Sequence, residues 1–161
     1  MLQRNLQSLR NQRRVVPIEL AVGESEGISD FTFLPELPAE STRHASEQRE
    51  RRLLIQRDSE DFTETISCKV ETLQNILDRE LTCDSSSSSV SSSSSLPIID
   101  YLKIDAEGDE LNVLTGLGFF WFSRIRQIAV EVYDADNRLE KVTRLLMDNS
   151  FNVNVTQQVS K

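Results

Sequence analysis

The second half of the chain switches repeatedly between the two hydrophobic periods of regular secondary structure, and this alternation limits the possible folds more than any other feature. Residues 98–104 and 125–133 are apolar runs of strand length, and leucines and valines at helical spacing follow each of them. Phe151, Val153 and Val155 then alternate with polar residues, as a third strand would. Apolar strands separated by helices are typical of a parallel sheet covered on both faces, so the sequence predicts an α/β fold.

The first half carries similar segments between polar stretches. Strand-like runs occupy residues 15–22, 28–34 and 65–70, and one helical face follows with Leu73, Ile76, Leu77 and Leu81. The polar insert 35–61 is rich in Arg and Glu and is interpreted as loop or solvated helix. Residues 85–95 are serine at every position except Val90. Serine cannot bury enough apolar area to offset chain entropy, so we expect a disordered insert there.

The composition argues against two classes of protein. The 161 residues suffice for one modest domain, and their 18 basic and 26 acidic side chains give a net charge of -8. A nucleic-acid-binding protein needs a surplus of basic groups, so we expect no nucleic-acid partner. No run of 18 apolar residues occurs, and residues 1–14 lack the apolar core of a signal peptide. We therefore expect no membrane segment, with a cytoplasmic location as the default and the compartment otherwise unknown.

The histidine and cysteine content restricts the available chemistry. His44 is the sole histidine, and Cys68 and Cys83 are the only cysteines. A zinc site of Cys and His ligands cannot be assembled from these, and we assign no metal ligand. Ser-His-Asp and Cys-His mechanisms would need His44 as the base, but it lies in the polar insert and is interpreted as a loop residue. The cysteines are interpreted as reduced packing residues, with a disulfide as the alternative.

Carboxylates gather where two of the predicted strands end. Asp105 and Glu107 follow residues 98–104, and Glu131 lies near the end of residues 125–133. Ligands of open parallel sheets bind beyond the carboxyl ends of the strands, and neighbouring strands lie about 5 Å apart. We therefore expect Asp105 and Glu131 to line one small site. Such a pair could accept a proton from a substrate hydroxyl, bind a divalent cation or hold polar substrate groups.

Several neighbouring residues have a structural interpretation. Asp109 and Glu110 stand where a helix begins, and acidic groups there are favoured by the helix dipole and the unpaired N–H groups. Gly108 allows a sharp turn between strand and helix. Lys103 points to the opposite face from its neighbours and is interpreted as structural, and the aromatic residues 119–122 are interpreted as packing.

The most specific pattern surrounds the acidic residues. Residues 100–110 read DYLKIDAEGDE, and Val113, Leu114 and Gly116 follow. This resembles the signature D-x-L-K-I-D-x-E-G-x-E of FkbM-type methyltransferases. Further segments of that family are similar to Asn5-Leu6, to Ala21-Val22-Gly23-Glu24 with Gly27, to residues 128–131, and to residues 70–77, where Gln74 replaces an expected Asp.

The resemblance implies a fold, an activity and a cofactor. It implies a class I methyltransferase with a Rossmann-like fold that uses S-adenosylmethionine, typically to methylate a hydroxyl oxygen of a small molecule or glycan. In that family a glycine-rich loop after the first strand and an acidic residue after the second hold the cofactor, and neither occurs in this sequence. We therefore expect residues 1–161 to form an incomplete domain that lacks the first two strands and carries half of the cofactor site.

The resemblance also implies roles for individual residues. Ala21, Val22 and Gly23 match the adenine side of the cofactor pocket, whereas Asp105 and Glu107 match the side that faces cofactor and acceptor. We predict Asp105, Glu107 and Glu131 as the catalytic carboxylates, with Asp105 also contacting the cofactor. The alternative is a non-catalytic remnant or interaction module. It is favoured by the unpaired apolar edge that residues 98–104 would have without the first strand.

Overall fold

The computed structural model describes residues 15–33, 42–44, 46, 63–82 and 97–157. In chain order the elements are β1 (Ala21–Gly23), β2 (Gly27–Phe33), β3 (Glu64–Thr72), α1 (Leu73–Thr82), β4 (Leu102–Ile104), α2 (Glu110–Thr115), α3 (Gly118–Phe122), β5 (Ile128–Val130) and α4 (Arg138–Asp148). The serine-rich stretch 85–95, Asn5-Leu6, Cys83 and most of the polar insert 35–61 lie outside the described residues.

The strands form two sheets with different pairing. The first sheet has the order β1-β3-β2, in which β1 is parallel and β2 antiparallel to β3. The second sheet consists of β4 and β5 in parallel. A mixed α/β architecture is thus confirmed, and the prediction that residues 98–104 and 125–133 are parallel neighbours holds.

The expected helices are present, and their ends have local causes. Before α1, the hydroxyl of Thr72 accepts a hydrogen bond from the N–H of Asn75, as a cap residue does. On α4, Val142 and Leu146 are buried on one face, as the predicted spacing requires. The helix ends at Asp148, and the side-chain amide of the cap residue Asn149 donates to the carbonyl oxygen of Leu145.

Several predicted strands are shorter than their apolar runs, and one is absent. Residues 15–20 form no strand, and β4 and β5 each keep three paired residues, with one further bridge between Ile99 and Ile125. The strand predicted from Phe151, Val153 and Val155 was wrong, because residues 151–157 take part in no ladder. Phe151 and Val153 nevertheless pack against the core. Val155, the third residue of the alternating set, is 58% exposed. The alternation therefore identified two inward-facing side chains and did not predict the backbone pairing.

The core lies among α2, α3 and the sheet of β4 and β5. Leu114, Leu117 and Trp121 are fully buried, and the Trp121 indole N–H donates to Asp78 of α1 at 2.8 Å. The packing interpretation of residues 119–122 holds for Trp121 and Phe122, which are buried, but Phe119 remains 80% exposed.

The two sheets meet through a close backbone approach at Gly116. A Cβ atom there would lie 2.2 Å from the carbonyl oxygen of Gly23, so no larger residue fits without a shift. The carbonyl oxygen of Gly116 also accepts a hydrogen bond from the N–H of Gln74 at 2.9 Å. The end of α2 therefore ties β1 and α1 to the second sheet.

Among the described residues, no helix has the length and the apolar character that a membrane span requires.

Candidate functional site

The acidic loop, residues 105–109 between β4 and α2, has an unusual backbone. Glu107 has φ 44° and Gly108 has φ 109°, so two consecutive residues lie in the left-handed region. This region costs a residue with a side chain about 1 kcal/mol, whereas glycine enters it readily. A Cβ atom at Gly108 would also lie 2.9 Å from Cδ2 of His44. Backbone geometry and space thus both favour glycine at 108, and the sharp turn expected there is present.

Glu110, the first residue of α2, holds the acidic loop from inside the molecule. Its side chain is buried, and Oε1 accepts hydrogen bonds from the N–H groups of Gly108 (2.8 Å) and Ala106 (3.3 Å). Its Oε2 is the single buried side-chain nitrogen or oxygen in the described part of the chain without a hydrogen-bond partner. The first-turn carboxylate expected at this position therefore accepts hydrogen bonds from backbone N–H groups just before the helix.

Asp109 has a different role from the one expected at a helix start. Its side chain makes no capping hydrogen bond. Arg43 instead donates from Nε and Nη2 to its two oxygens, each at 2.5 Å. Nε2 of His44 lies 3.1 Å from Oδ1, and the Asn112 amide donates to the same oxygen at 2.8 Å. Asp109 is therefore the centre of a network that joins the acidic loop to the polar insert.

In this network Asp109 and Arg43 each favour the charged form of the other. Burial acts to raise the pKa of Asp109, but the hydrogen bonds from Arg43, His44 and Asn112 outweigh burial and hold this pKa below its usual range. The hydrogen bond to Asp109 in turn raises the pKa of Arg43. The carboxylate and the guanidinium are thus both charged at neutral pH, in a bidentate pair that fixes their relative orientation.

The ends of β4 and β5 bring two of the predicted site residues to the same edge. Ile104 is paired with Val130, and the N–H of Glu131 donates to the carbonyl oxygen of Ile104 at 3.0 Å. Asp105 and Glu131 therefore leave neighbouring strands one residue beyond the last pair. Their separation along the sheet is that of adjacent strands.

Lys103 also lies beside Asp105 at the end of β4, although it was interpreted as structural. Its ammonium lies 2.7 Å from Oδ2 of Asp105. The hydrogen bond and the charge of Asp105 raise the pKa of Lys103, with a smaller contribution from Glu131. A lysine two residues before Asp105 shares its face of the strand, which accounts for the contact.

The predicted carboxylates line one cavity of about 1030 Å³. Asp105, Glu107 and Glu131 all line it, together with Lys103 and Glu110. The remaining wall is made by β5, by one face of α4 and by residues 151–157. The lining thus combines apolar side chains with several carboxylates, which suits an organic ligand with polar or cationic groups.

Ala21, Val22 and Gly23 lie on β1 in the other sheet and do not line this cavity. Val22 packs against the core, and Gly23 faces Gly116. The structure therefore brings together the three predicted catalytic carboxylates, while the three predicted adenine-side residues lie apart from them. Within the described ranges, no group of three or more His, Cys, Asp or Glu side chains could hold a metal ion.

Sequence reasoning missed the contribution of Arg43 and His44. Both lie in the polar insert, where a high density of Arg and Glu gives no sign of which residue makes a long-range contact. Arg43 and Asp109 are 66 positions apart, so no local pattern relates them. The one available signal was that His44, the sole histidine, lies beside an arginine.

The model of the methyltransferase FkbM domain matches residues 3–153. A 31-O-demethyl-FK506 methyltransferase, FkbM, from Streptomyces tacrolimicus is 28% identical over 84% of this chain and 53% of its own length. The methyltransferase sdnD from Sordaria araneosa is 27% identical over 95% of this chain and 60% of its own length.

The chain therefore spans just over half the length of these curated relatives. No solved structure gives a significant match.

Proposed function

Since the chain belongs to the FkbM methyltransferase family, we propose that it acts in the transfer of a methyl group from S-adenosylmethionine to a hydroxyl oxygen of a small-molecule or glycan acceptor. One observation within the molecule carries this proposal. Asp105, Glu107 and Glu131 line a single cavity at the carboxyl ends of two paired parallel strands. This is where ligands bind in open α/β sheets. The Streptomyces relative is named as a methyltransferase for a 31-O-demethyl compound, which supports oxygen as the acceptor atom.

The proposed arrangement is that of a class I, Rossmann-like methyltransferase with the acidic loop beside the cofactor. The parallel pairing of β4 and β5, with α2 and α3 between them in the chain, supports it. In this arrangement Ala21, Val22 and Gly23 of β1 belong to the adenine side. The close backbone approach of Gly23 to Gly116 places that strand beside the C-terminal end of α2, the helix that follows the acidic loop.

The acidic residues of the cavity fit the chemical character of this cofactor. S-adenosylmethionine supplies an electrophilic methyl group on a positively charged sulfur, and it also carries an ammonium group. Carboxylates beside such charges favour binding through charge-assisted hydrogen bonds and Coulomb attraction. Asp105, which pairs with Lys103 at 2.7 Å, is the carboxylate proposed to face the cofactor.

Two further carboxylates are proposed to act on the acceptor. Glu107 projects from the left-handed turn of the acidic loop, and Glu131 leaves the neighbouring strand. One of them would take the proton of the acceptor hydroxyl, and the bound cofactor would supply the methyl group that this oxygen receives. Positioning supplies most of the acceleration in such a displacement, and proton removal adds to it.

A methyl-transfer assay with matched variants tests these roles. In the full-length protein, Asp105→Asn and Glu131→Gln are expected to lower the rate of transfer about 100-fold or more. Asp100→Asn is the control, because Asp100 is an exposed carboxylate near the start of β4 that pairs with Arg126 and does not line the cavity. Full activity in both site variants would refute the assigned roles.

A non-catalytic interaction module is the second candidate, and the sheet of β4 and β5 favours it. Within the described residues neither strand has a second partner, and Ile98 and Tyr101 beside β4 are more than half exposed. Open apolar strand edges promote association with other chains. Sedimentation velocity, combined with calorimetric titration of S-adenosylmethionine, separates the two candidates. Concentration-dependent association without cofactor binding supports the module, and a monomer that binds the cofactor supports the enzyme.

A further inference from the structure

Residues 42–44 form a short segment of the polar insert that lies against the acidic loop, with a bend at Arg43. Thr42 and Thr32 exchange backbone hydrogen bonds of 2.9 and 3.1 Å, which fixes the segment to β2. Thr42 is also buried, with 2% of its surface exposed. The segment is therefore an ordered part of the molecule whose neighbours are set by the first sheet.

Each residue of this segment contacts the acidic loop. The Thr42 hydroxyl donates to the carbonyl oxygen of Glu107 at 2.6 Å. Arg43 binds both oxygens of Asp109, and its guanidinium also lies over the ring of Phe31 at 5.8 Å. His44 contacts Oδ1 of Asp109, with its ring beside Gly108. The contacts together involve all three residues 107–109 of the acidic loop.

The acidic loop needs such support because its conformation is locally unfavourable. Glu107 is a non-glycine residue at φ 44°, and a strained residue persists when its surroundings impose its conformation. The hydrogen bond from Thr42 acts directly on the peptide that follows Glu107, and Arg43 holds Asp109 two positions later. The restrained peptides thus lie next to the side chain of Glu107, which lines the cavity.

We propose that Arg43, aided by Thr42 and His44, is a positioning residue: through Asp109 it holds the acidic loop in the turn that directs Glu107 into the cavity. Arg43 does not line the cavity, so it acts through the loop. The relevance to catalysis rests on the proposed function, whereas the hold on the loop is measurable without cofactor.

Amide hydrogen exchange in the full chain tests the hold directly. The N–H groups of Gly108 and Asp109 are hydrogen-bonded to Glu110 and Ala106, so their exchange reports opening of the acidic loop. In Arg43→Ala we expect these amides to exchange about tenfold faster or more than in the wild type. Arg43→Lys keeps the charge but loses the bidentate geometry, so an intermediate increase is expected.

Arg79→Ala is the matched control. Arg79 also pairs with a buried carboxylate, that of Glu71, but this pair lies on β3 and α1 and does not contact the acidic loop. Its substitution should leave exchange at Gly108 and Asp109 within about twofold of wild type. Unchanged exchange of these amides in Arg43→Ala, or an equal increase in both variants, would overturn the proposal. Arg43→Lys provides the same comparison if Arg43→Ala does not fold.

Catalytic measurements in the full-length protein separate positioning from general stability. We expect Arg43→Ala to lower kcat at least tenfold while the Kd for S-adenosylmethionine changes less than about threefold, because Glu107 is assigned to the acceptor side. An unchanged kcat in a variant whose loop amides exchange faster would refute the catalytic part. If the wild type binds no cofactor, the proposed function fails, and the exchange data still decide whether Arg43 holds the loop.

Discussion

Asp109 shows how a residue expected to be a local helix feature can hold distant parts of the chain together. The start of a helix explains an acidic residue at this position. The carboxylate of Asp109 nevertheless contacts Arg43 and His44 of the polar insert. The pKa of Asp109 lies below its usual range because these hydrogen bonds outweigh the effect of burial. Folding therefore favours the ionised form, and stability depends on pH through this group.

The first prediction concerns that dependence. Asp109→Asn should lower the free energy of unfolding at pH 7 by about 2 kcal/mol, because the half-buried Arg43 loses a buried, charged partner. The wild type keeps the contribution of ionised Asp109 above the unfolded-state pKa of about 3.9 and loses it as pH falls through the lower native pKa. The difference between variant and wild type should therefore shrink below about pH 4 in urea titrations.

Asp100→Asn serves as the control for this measurement, because Asp100 and its partner Arg126 are both largely exposed. This substitution should change the free energy of unfolding by no more than about 0.5 kcal/mol at pH 7 and at pH 3. A constant difference for Asp109→Asn from pH 7 to pH 3 would show that ionisation of Asp109 does not contribute.

Gly108 provides a second residue-level prediction. Gly108→Ala places a side chain at φ 109° and brings its Cβ to 2.9 Å from His44, so the free energy of unfolding should fall by about 2 kcal/mol. Gly27→Ala is the matched control, since a Cβ at Gly27 meets nothing within 4 Å. Thermal unfolding of both variants measures the contrast, and equal melting temperatures would contradict the described turn.

At the level of elements, helices were easier to predict than strands. The apolar stripe of α4 has a period of its own, and Val142 and Leu146 are buried as that period requires. Strand pairing depends on which other segment lies alongside, which alternation alone does not specify. Phe151 and Val153 face the core as predicted, but they have no ladder partner in the described chain.

The contact between α1 and α3 is testable because Trp121 is the only tryptophan. Its indole N–H donates to Asp78, and the side chain is fully buried. Asp78→Ala should leave that donor without this acceptor, which destabilises the protein by about 1–2 kcal/mol. Urea unfolding followed by tryptophan fluorescence measures the change, and a midpoint equal to that of the wild type would rule out a contribution from this hydrogen bond.

For the whole molecule, the sequence located the acidic site but not the way the sheets divide. Residues 98–110 and 125–131 were sufficient to place Asp105 and Glu131 at adjacent strand ends, because one helical region separates two apolar runs. The antiparallel pairing of β2 with β3 joins segments separated by the polar insert, and the contact of Arg43 with Asp109 spans 66 positions. Such long-range contacts depend on tertiary packing, which local patterns do not encode.

Calorimetric titration of S-adenosylmethionine into the chain tests the central claim most directly, namely that the cavity beside the acidic loop is a cofactor site. We expect saturable binding to the wild type and to Asp100→Asn, and binding at least tenfold weaker in Asp105→Asn, because that variant removes a carboxylate from the cavity wall. Absence of binding to the wild type, or equal affinity in all three proteins, would contradict the account.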